Sequence, residues 1–453
     1  MYDLIILGGG PAGYLAAERA AHAGLKVALI EKRNVGGVCL NEGCVPSKAL
    51  LYSAKLKDGA EYGKKYGIVC GEVKIDHAAV ITRKDKVVKT LTGGVSATLK
   101  SLGVQWIREE GRIKGKVSGG YSVEAGGTIY EGRRLLIATG AEAAMPPIEG
   151  LREQFENGFV LTNREILDLR EVPERLTVIG GGVIGLEMAS YYRSAGSTVT
   201  VIEMLDKIGG PIDGEIAALL RKNYEQKGII FKTSCKVTRI ENRTVHYEEN
   251  GSLQKVECDK TLVAIGRTPN TKGIGLENIG LLLERGAVVT DEKMMTNQQE
   301  VYAAGDVNGK SMLAHTAYRE AEVAVNNMLG KRDKMKYNAI PGVIYTNPEV
   351  AGVGETEETA KQKGLDYTVK SISMRYSGRY VAENEGGDGI CKIIVDNNWN
   401  KLIGVHMIAN QASEIIWGAD ALITKEISID EIKKIVFPHP TVGEIIREAI
   451  FQL

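Results

Sequence analysis

The sequence predicts an α/β fold in which two similar units of strand, glycine-rich turn, helix and strand are followed by a smaller α+β domain. Three observations support this. A glycine-rich turn at residues 8–13 lies between an apolar run and a helical stretch, and residues 180–185 repeat the arrangement. After about Tyr337 no such turn recurs, and strand-like and helix-like segments alternate. A chain of 453 residues is too long for one core, so several domains are expected.

The first unit has the glycine spacing of a dinucleotide-binding turn. Its predicted elements are a strand over residues 3–7, a helix over 11–23 and a strand over 26–30. Gly8 permits a tight turn, Gly10 lets the backbone approach a pyrophosphate, and Gly13 lets the helix pack closely on the strand. Glu31 ends the second strand and can accept hydrogen bonds from ribose hydroxyls. The helix N-terminus would offer N–H groups to the phosphates.

The second unit repeats this pattern. Its predicted elements are a strand over residues 176–179, a helix over 183–195 and a strand over 198–202. Gly180, Gly182 and Gly185 hold the three glycine positions. Glu203 follows Gly180 by 23 residues, which is also the offset of the acid in the first unit. One such pattern is a weak signal, but two with the same offset predict two dinucleotide sites, or one dinucleotide bound twice.

Further apolar runs also end in small residues. Residues 135–138 are followed by Thr139 and Gly140, residues 262–265 by Gly266 and Arg267, and residues 301–304 by Gly305 and Asp306. Each run is typical of a buried strand that brings a turn to a ligand-binding edge. For any single run, a plain strand-ending turn is the alternative. A long polar helix is predicted over residues 78–102.

The last quarter of the chain has the pattern of an α+β domain without a phosphate-binding turn. Its predicted strands are residues 367–373, 389–396 and 402–407, and its predicted helices are residues 412–424, 429–436 and 443–451. This alternation, without the glycine spacing, indicates a task other than nucleotide binding.

Composition excludes several classes of protein. Lys plus Arg and Asp plus Glu each number 57, so there is no basic field for nucleic acid or for a membrane surface. Six cysteines in so long a chain do not form a disulfide scaffold. The N-terminus enters a strand without a cationic region, and no apolar run has membrane-spanning length. We therefore expect a cytoplasmic protein.

Cys39 and Cys44 follow the first unit closely. Three interpretations are open: a redox disulfide, half of a metal site, or two unrelated thiols. Further metal ligands with convincing spacing are absent, so no metal site is expected, and a thiol pair beside a cofactor site favours redox chemistry. Lys48 lies one helical turn beyond Cys44, where its charge would favour a thiolate. The other four cysteines are expected to be inert: Cys70, Cys235, Cys258 and Cys391.

Thiol exchange needs a base, and His439 is the best candidate among six histidines. It lies between Pro438 and Pro440, which restrict the backbone. Glu444, five residues later, could orient the imidazole and support its protonated form. A structural histidine is the alternative on spacing alone.

Two motifs, residues 36–48 (GGVCLNEGCVPSK) and 439–444 (HPTVGE), resemble those of the pyridine nucleotide–disulphide oxidoreductases. The resemblance covers essentially the whole chain, and Ser47 before Lys48 is similar to members that act on dihydrolipoamide. It implies an FAD domain, an NAD domain and a C-terminal α+β dimerisation domain. The implied boundaries are residues 1–142 with 266–336, residues 143–265, and residues 337–453.

The resemblance implies tightly bound FAD at the first unit and NAD+/NADH at the second. The implied cofactor-binding residues are Gly8, Gly10, Gly13, Glu31, Lys48, Thr139, Gly140, Asp306 and Ala314, then Gly180, Gly182, Gly185, Glu203 and Gly266. Glu203 has no arginine beside it, which favours a free ribose hydroxyl and hence NAD over NADP.

The resemblance also implies catalytic roles. Cys44 would be the charge-transfer thiol beside the flavin, and Cys39 the interchange thiol facing the substrate. Lys48 and Glu187 would pair near the reactive nitrogen of the flavin.

His439, held by Glu444, would act as base in the site of the other subunit of a homodimer. The implied partners are lipoyl domains of a 2-oxoacid dehydrogenase, acetoin or glycine-cleavage complex. The alternatives are another NAD(P)H-dependent disulfide reductase, of the glutathione or coenzyme A disulfide type, and a flavin-binding redox sensor without turnover. Three residues depart from the usual pattern: Glu42, Phe437 and Gly443.

Overall fold

The computed structural model describes residues 1–453, which form two compact units. The first unit comprises Met1–Ala49, Ile81–Ala144 and Gly266–Lys336. The second comprises Leu50–Val80, Met145–Ile265 and Tyr337–Leu453. Each unit is built from segments distant in sequence, so strand pairing and packing between those segments define it. The three domain boundaries implied by the resemblance stay a prediction.

The first unit is built on a seven-stranded sheet around the strand Tyr2–Leu7. This strand is parallel to both of its neighbours, and residues 4–7 are at most 2% exposed. A continuous apolar run suits such a strand because both faces are covered. Across the sheet the strands are Gln105–Ile107, Val27–Ile30, Tyr2–Leu7, Thr128–Ile137, Gly120–Ala125 and Gly111–Val117, with Val301–Ala303 parallel to Thr128–Ile137.

The helices of this unit are Pro11–His22, Gly37–Glu42, Ala314–Met328 and most of His77–Ser101, with short 3-10 turns at Leu276–Ile279 and Asp306–Asn308. The helix Cys44–Glu61 begins in this unit and ends among the residues of the second. Two small ribbons complete the unit: Ala141–Ala143 with Arg267–Pro269, and Leu283–Glu284 with Ala287–Val288.

The second unit contains a parallel sheet of five strands and an antiparallel sheet of three. The parallel strands, in order, are Ile230–Lys232, Thr198–Ile202, Arg175–Ile179, Lys260–Val263 and Val160–Leu161. The antiparallel strands are Cys235–Glu241, Thr244–Glu249 and Ser252–Glu257. The helices here are Leu151–Glu156, Asn163–Leu167, Val183–Ser194 and Gly214–Gln226. Both glycine-rich turns therefore lie between a parallel strand and a helix, as predicted.

The C-terminal part of the second unit is an antiparallel sheet with helices, which confirms the α+β prediction. Its strands, in order, are Gly342–Ile344, Glu349–Gly354, Lys401–Ala409, Ile390–Asp396 and Tyr367–Ser373. Its helices are Glu357–Gln362, Gly378–Glu383, Ala412–Thr424, Ile429–Ile432 and Ile445–Ile450, with 3-10 turns at Met374–Tyr376 and Val442–Glu444. The segment Leu50–Val80 of the second unit contains the 3-10 turn Gly63–Tyr66. Ile393, Val405 and Ile416 are among the residues of one core between sheet and helices.

One predicted helix is too long. The prediction covered residues 429–436, but the helix ends at Ile432. Val436 is 92% exposed, so a further turn would bury no apolar surface, and Pro438 disfavours helical backbone at the residue before it. The helix predicted over residues 443–451 begins with the 3-10 turn Val442–Glu444 and is α-helical over Ile445–Ile450.

Replacing Gly185 by Ala should destabilise the nucleotide unit. An added Cβ would lie 2.0 Å from the carbonyl oxygen of Gly180, so strand and helix must separate. We expect a loss of about 1–3 kcal/mol in the free energy of unfolding, as for other overpacked sites. Thermal unfolding followed by circular dichroism measures it. The control is Gly93→Ala, because Gly93 is exposed in the helix His77–Ser101 with no heavy atom near its Cβ position. The prediction is wrong if the two variants melt alike.

Candidate active site

The first glycine-rich turn has the shape that a dinucleotide phosphate requires. Gly8 has φ +103°, and a Cβ there would lie 2.2 Å from the carbonyl oxygen of Ala138. A Cβ on Gly13 would lie 1.8 Å from the carbonyl oxygen of Gly8. Gly10 is the N-cap of the helix Pro11–His22, makes no side-chain cap, and has only one atom within 4 Å of its Cβ position. The turn is therefore closed where strand and helix meet and open where a pyrophosphate would lie.

The second turn has the same geometry. Gly180 also has φ +103°, and its Cβ would lie 2.4 Å from the carbonyl oxygen of Ala264. A Cβ on Gly185 would collide with the carbonyl oxygen of Gly180, as one on Gly13 would with that of Gly8. No atom lies within 4 Å of the Cβ position of Gly182. Both turns thus fit a dinucleotide.

The acid of each unit folds back onto its own turn. Glu31 accepts hydrogen bonds from the backbone N–H groups of Gly9, at 2.8 Å, and Arg33, at 2.7 Å. Glu203 accepts the two equivalent bonds at 2.7 and 2.8 Å. These bonds hold each carboxylate at the end of its strand, where a ribose hydroxyl would lie.

The helix that carries Cys39 is placed directly by the first turn. The backbone N–H of Gly36 donates to the carbonyl oxygen of Gly9 at 2.8 Å. A Cβ on Gly37, which has φ +56°, would lie 2.5 Å from the Cα of Gly10. The helix Gly37–Glu42 begins at this contact. Glycine at both positions therefore allows the dithiol segment to lie against the phosphate-binding turn.

Cys39 and Cys44 lie close enough for their side chains to form a hydrogen bond. This bond, then burial and the neighbouring sulfur charge, raise the pKa of Cys39 above its usual range, while Lys48 opposes the shift. Once one sulfur of such a pair ionises, the second proton is held more tightly. The reduced pair can therefore carry one thiolate and one thiol.

Asp306 and Arg267 form an ion pair in the same unit. The Arg267 Nε lies 3.4 Å from Asp306 Oδ2, and the guanidinium also donates to the carbonyl oxygen of Ala141. Burial raises the pKa of Asp306, and the Arg267 charge only partly offsets this. The carboxyl is thus a ready hydrogen-bond partner for a hydroxyl group of a ligand.

His439 and Glu444 are paired as the sequence predicts. The imidazole Nδ1 lies 2.8 Å from Glu444 Oε2. The Glu444 side chain is 9% exposed, whereas that of His439 is 77% exposed. The buried carboxylate therefore holds a largely exposed imidazole through its Nδ1, which is the arrangement that an oriented base requires.

Comparisons with known proteins agree with this geometry. Residues 2–321 match the family described as pyridine nucleotide-disulphide oxidoreductase, and residues 340–450 match its dimerisation domain. This chain belongs to the pyridine nucleotide–disulphide oxidoreductase family.

Individual members are similar over nearly their whole length. The dihydrolipoyl dehydrogenase of Mycoplasma pneumoniae is 37% identical over 99% of this chain and 97% of the relative. The crystal structure of LpdA from Mycobacterium tuberculosis superposes with a TM-score of 0.90, at 27% identity and 99% coverage of both chains. The HOCl-induced flavoprotein disulfide reductase RclA from Escherichia coli gives a TM-score of 0.86 at 27% identity, again covering 99% of both chains.

Oxidoreductases of this family use FAD and a pyridine nucleotide, and the two open glycine turns with their acids fit these two dinucleotides. Two of the implied cofactor contacts lie where small residues leave space. Gly140 has φ +67° and Gly266 φ +118°, and no atom lies within 4 Å of either Cβ position. Ala314 is the first residue of the helix Ala314–Met328. Their contacts with cofactor stay predictions.

Lys48 and Glu187 lie in different units, so their pairing also stays a prediction. Glu187 is 3% exposed in the helix Val183–Ser194, and its carboxylate accepts the backbone N–H of Tyr345 at 3.1 Å. Lys48 follows Cys44 by one turn of the helix Cys44–Glu61, as predicted.

Some residues that support the site were not proposed from the sequence. Asn270 holds Thr139 through two hydrogen bonds: the Thr139 hydroxyl donates to the Asn270 carbonyl at 2.7 Å, and the Asn270 side chain donates back at 3.0 Å. The buried Glu320 accepts the backbone N–H of Gly305 at 2.6 Å. Arg267 and Asn270 could have been proposed from the sequence, because both closely follow the predicted turn at Gly266. The local sequence around Glu320 gives no such indication.

Glu42 has a cation beside it. The Arg33 Nη1 lies 3.2 Å from Glu42 Oε1, which offsets the negative charge that Glu42 adds to the dithiol segment. Arg33 is also the residue whose backbone N–H binds Glu31. The ion pair thus links the acid of the first unit with the helix that carries Cys39.

The remaining cysteines lie outside this site. Burial raises the pKa of Cys391 to about 12 and also raises that of Cys258 and Cys235, which disfavours the reactive thiolate at all three. Cys70 is exposed. No group of three or more His, Cys, Asp or Glu side chains could hold a metal ion, and no helix combines the length and apolar character of a membrane span.

Replacing Arg33 by Ala should make the reduced dithiol harder to ionise, because the positive charge beside Glu42 is lost. Exposed ion pairs are worth up to about 1 kcal/mol, so the pH midpoint of thiolate formation should rise by up to about 0.7 unit. The rate of alkylation of the reduced protein against pH measures it. Glu42→Gln should shift the midpoint the other way or leave it, and the double variant should match Glu42→Gln. An unchanged midpoint in Arg33→Ala would show that the pair does not influence the thiols.

Proposed function

We propose that this protein oxidises protein-bound dihydrolipoamide to lipoamide and reduces NAD+, with a disulfide between Cys39 and Cys44 as the first electron acceptor. The observation that carries the proposal is the contact of the dithiol segment with the first dinucleotide turn. The full-length similarity to dihydrolipoyl dehydrogenase of Mycoplasma pneumoniae supports the choice of substrate.

His439 would begin the reaction by taking a proton from a thiol of dihydrolipoamide. The resulting thiolate attacks Cys39 Sγ, a mixed disulfide forms, and Cys44 leaves as a thiolate. The second substrate thiol loses its proton and attacks the substrate sulfur of the mixed disulfide. Lipoamide is released, and Cys39 receives a proton. Two electrons and two protons thus leave the substrate, and the cysteine pair is reduced.

Lys48 would favour the Cys44 thiolate through its charge, since the two residues lie one helical turn apart. FAD, when bound, would accept the electron pair of the dithiol and supply a hydride to NAD+. Gly10, Glu31 and Asp306 would hold FAD, and Gly182 and Glu203 would hold NAD. The carboxylate of Glu203 would repel a 2′-phosphate, so NAD is preferred to NADP.

The histidine would serve the other subunit of a homodimer. The match of residues 340–450 to a dimerisation domain supports a dimer. The high exposure of His439, set against the burial of Glu444, supports a role outside its own fold. Lipoyl domains of a 2-oxoacid dehydrogenase, acetoin or glycine-cleavage complex would deliver the substrate.

Serine variants of the two cysteines test the order of the pair. Cys39→Ser should leave the Cys44 thiolate beside the flavin and give a long-wavelength charge-transfer band without reductant. Cys44→Ser should give none, and both variants should lose turnover with dihydrolipoamide. Visible absorption under anaerobic conditions measures this. The opposite pattern would reverse the order of the cysteines.

Anaerobic titration of the unmodified protein with dihydrolipoamide, followed by visible absorption, tests the substrate. Dihydrolipoamide should produce the band and support NAD+ reduction, whereas glutathione disulfide and coenzyme A disulfide should not reoxidise the NADH-reduced protein at a comparable rate. Flavin binding without turnover of any of these would favour a redox sensor.

His439→Gln should lower kcat with dihydrolipoamide by about 10²–10⁴-fold, the usual contribution of a general acid–base group. NADH-driven reduction of a quinone should be unchanged, because that reaction needs no thiol proton acceptor. Steady-state kinetics with both acceptors give the comparison. His22→Gln is the control, since His22 is exposed at the end of the helix Pro11–His22. A His439 variant with normal dihydrolipoamide turnover would remove this residue from the mechanism.

A further inference from the structure

A buried lysine in the second unit is surrounded by carboxylates. Lys392 is 4% exposed, and its Nζ lies 3.1 Å from Asp213 Oδ2 and 3.2 Å from Asp213 Oδ1. Glu357 Oε2 lies 2.6 Å away, and Glu215 Oε2 lies 3.4 Å away. Asp213 is fully buried, whereas the two glutamates are half exposed. The Lys392–Asp213 pair is therefore the buried centre of the cluster.

The pair is fully charged despite its burial. Burial raises the pKa of Asp213, but the hydrogen bond and charge of Lys392 outweigh it and hold the value below the usual range. Burial lowers the pKa of Lys392, but the hydrogen bonds and charges of Glu357 and Asp213 outweigh burial and hold the pKa above its usual range. A buried ion pair adds little net stability compared with apolar residues of similar volume. Its use is therefore to be sought in what it fixes in place.

The loop of residues 204–212 connects Glu203 to Asp213. Asp213 caps the helix Gly214–Gln226 by accepting the backbone N–H of Glu215 at 3.0 Å. Glu358 accepts the preceding N–H, that of Gly214, at 2.8 Å. The far end of the 204–212 loop is thus tied to strand Ile390–Asp396 and helix Glu357–Gln362.

The middle of the 204–212 loop lies on the second glycine turn. The backbone N–H of Gly209 donates to the carbonyl oxygen of Gly181 at 2.7 Å. A Cβ on Gly181 would lie 3.3 Å from Ile208 Cγ2, so the contact is close. In the first unit, Gly36 makes the same bond to Gly9 and leads into the helix of the dithiol. In both units the loop after the acid therefore bonds to the glycine turn, but only the loop of the second unit ends at a buried ion pair.

We propose that Lys392, acting through Asp213, is a positioning residue for NAD: it fixes the 204–212 loop against the turn that receives the nucleotide. This rests on the proposed function of the second glycine-rich turn, residues 180–185, as part of the NAD site. Without Lys392 the loop loses its anchor to the C-terminal sheet, and Glu203 and the turn are held less well. Binding of NAD(H) should weaken, while chemistry at the dithiol should not change.

Lys392→Met keeps the length of the side chain and removes its charge. The Kd for NADH, from the concentration dependence of anaerobic flavin reduction in the holoenzyme, should rise roughly tenfold, the loss expected for a charged hydrogen bond. The rate of flavin reduction by dihydrolipoamide should match the unmodified protein. Equal Kd values in the two proteins would overturn the inference. If NADH and dihydrolipoamide both fail to reduce the unmodified protein, the proposed function fails instead.

Two further variants separate positioning from stability. Lys392→Met with Asp213→Asn removes both buried charges, so it should melt above Lys392→Met alone yet keep the raised Kd. A Kd restored by the double variant would mean that Lys392 only neutralises a buried charge. Lys401→Met is the matched control, because Lys401 pairs with Glu426 at 2.9 Å on the exposed side of the neighbouring strand. Its Kd for NADH should be unchanged.

Discussion

The close contact between a strand and the helix that follows it determines the geometry of both nucleotide units. In each, the helix glycine, Gly13 or Gly185, lies so near the carbonyl oxygen of the first turn glycine that a Cβ could not fit. This contact brings the helix N-terminus to the strand end. In each unit, the acid at the end of the second strand accepts a hydrogen bond from a backbone N–H of the turn. The loop after the acid also bonds to the turn, by donating a backbone N–H to a carbonyl oxygen there. The position of the dithiol segment is a consequence of this packing, because it begins where that loop touches the first turn.

Local patterns predicted those parts of the fold that depend on local residues. The strands Thr198–Ile202 and Tyr367–Ser373 and the helix Ala412–Thr424 have the predicted bounds, because apolar periodicity and burial agree there. The helix after Ser428 is shorter than predicted, since helical propensity alone does not hold a turn without buried contacts. The turns were predictable because their glycines are required by geometry. The pairing of Cys39 with Cys44 was favoured because a cofactor-binding turn precedes the two thiols closely in the sequence.

Charged groups that meet across long stretches of chain were not predictable. Lys392 and Asp213 are 179 residues apart, and each has an ordinary local sequence. Glu320 reaches Gly305 only because its helix packs beside that turn. Arg33 and Glu42 are near in sequence, yet a loop and a helix end separate them, so no periodic pattern places them together. The sequence indicates which groups can ionise, but tertiary packing decides which of them meet.

The exposure of His439 supports the proposal that the site extends beyond one chain. Its partner Glu444 is buried, so the fold uses a buried carboxylate to orient a side chain that it leaves in solvent. A histidine needed for packing would be buried, and a surface histidine without function would not require an oriented partner. The family match places this motif in a dimerisation domain. In the proposed mechanism, an oriented, exposed base on such a surface would act on a substrate bound by another subunit, and the dimer would then be required for catalysis.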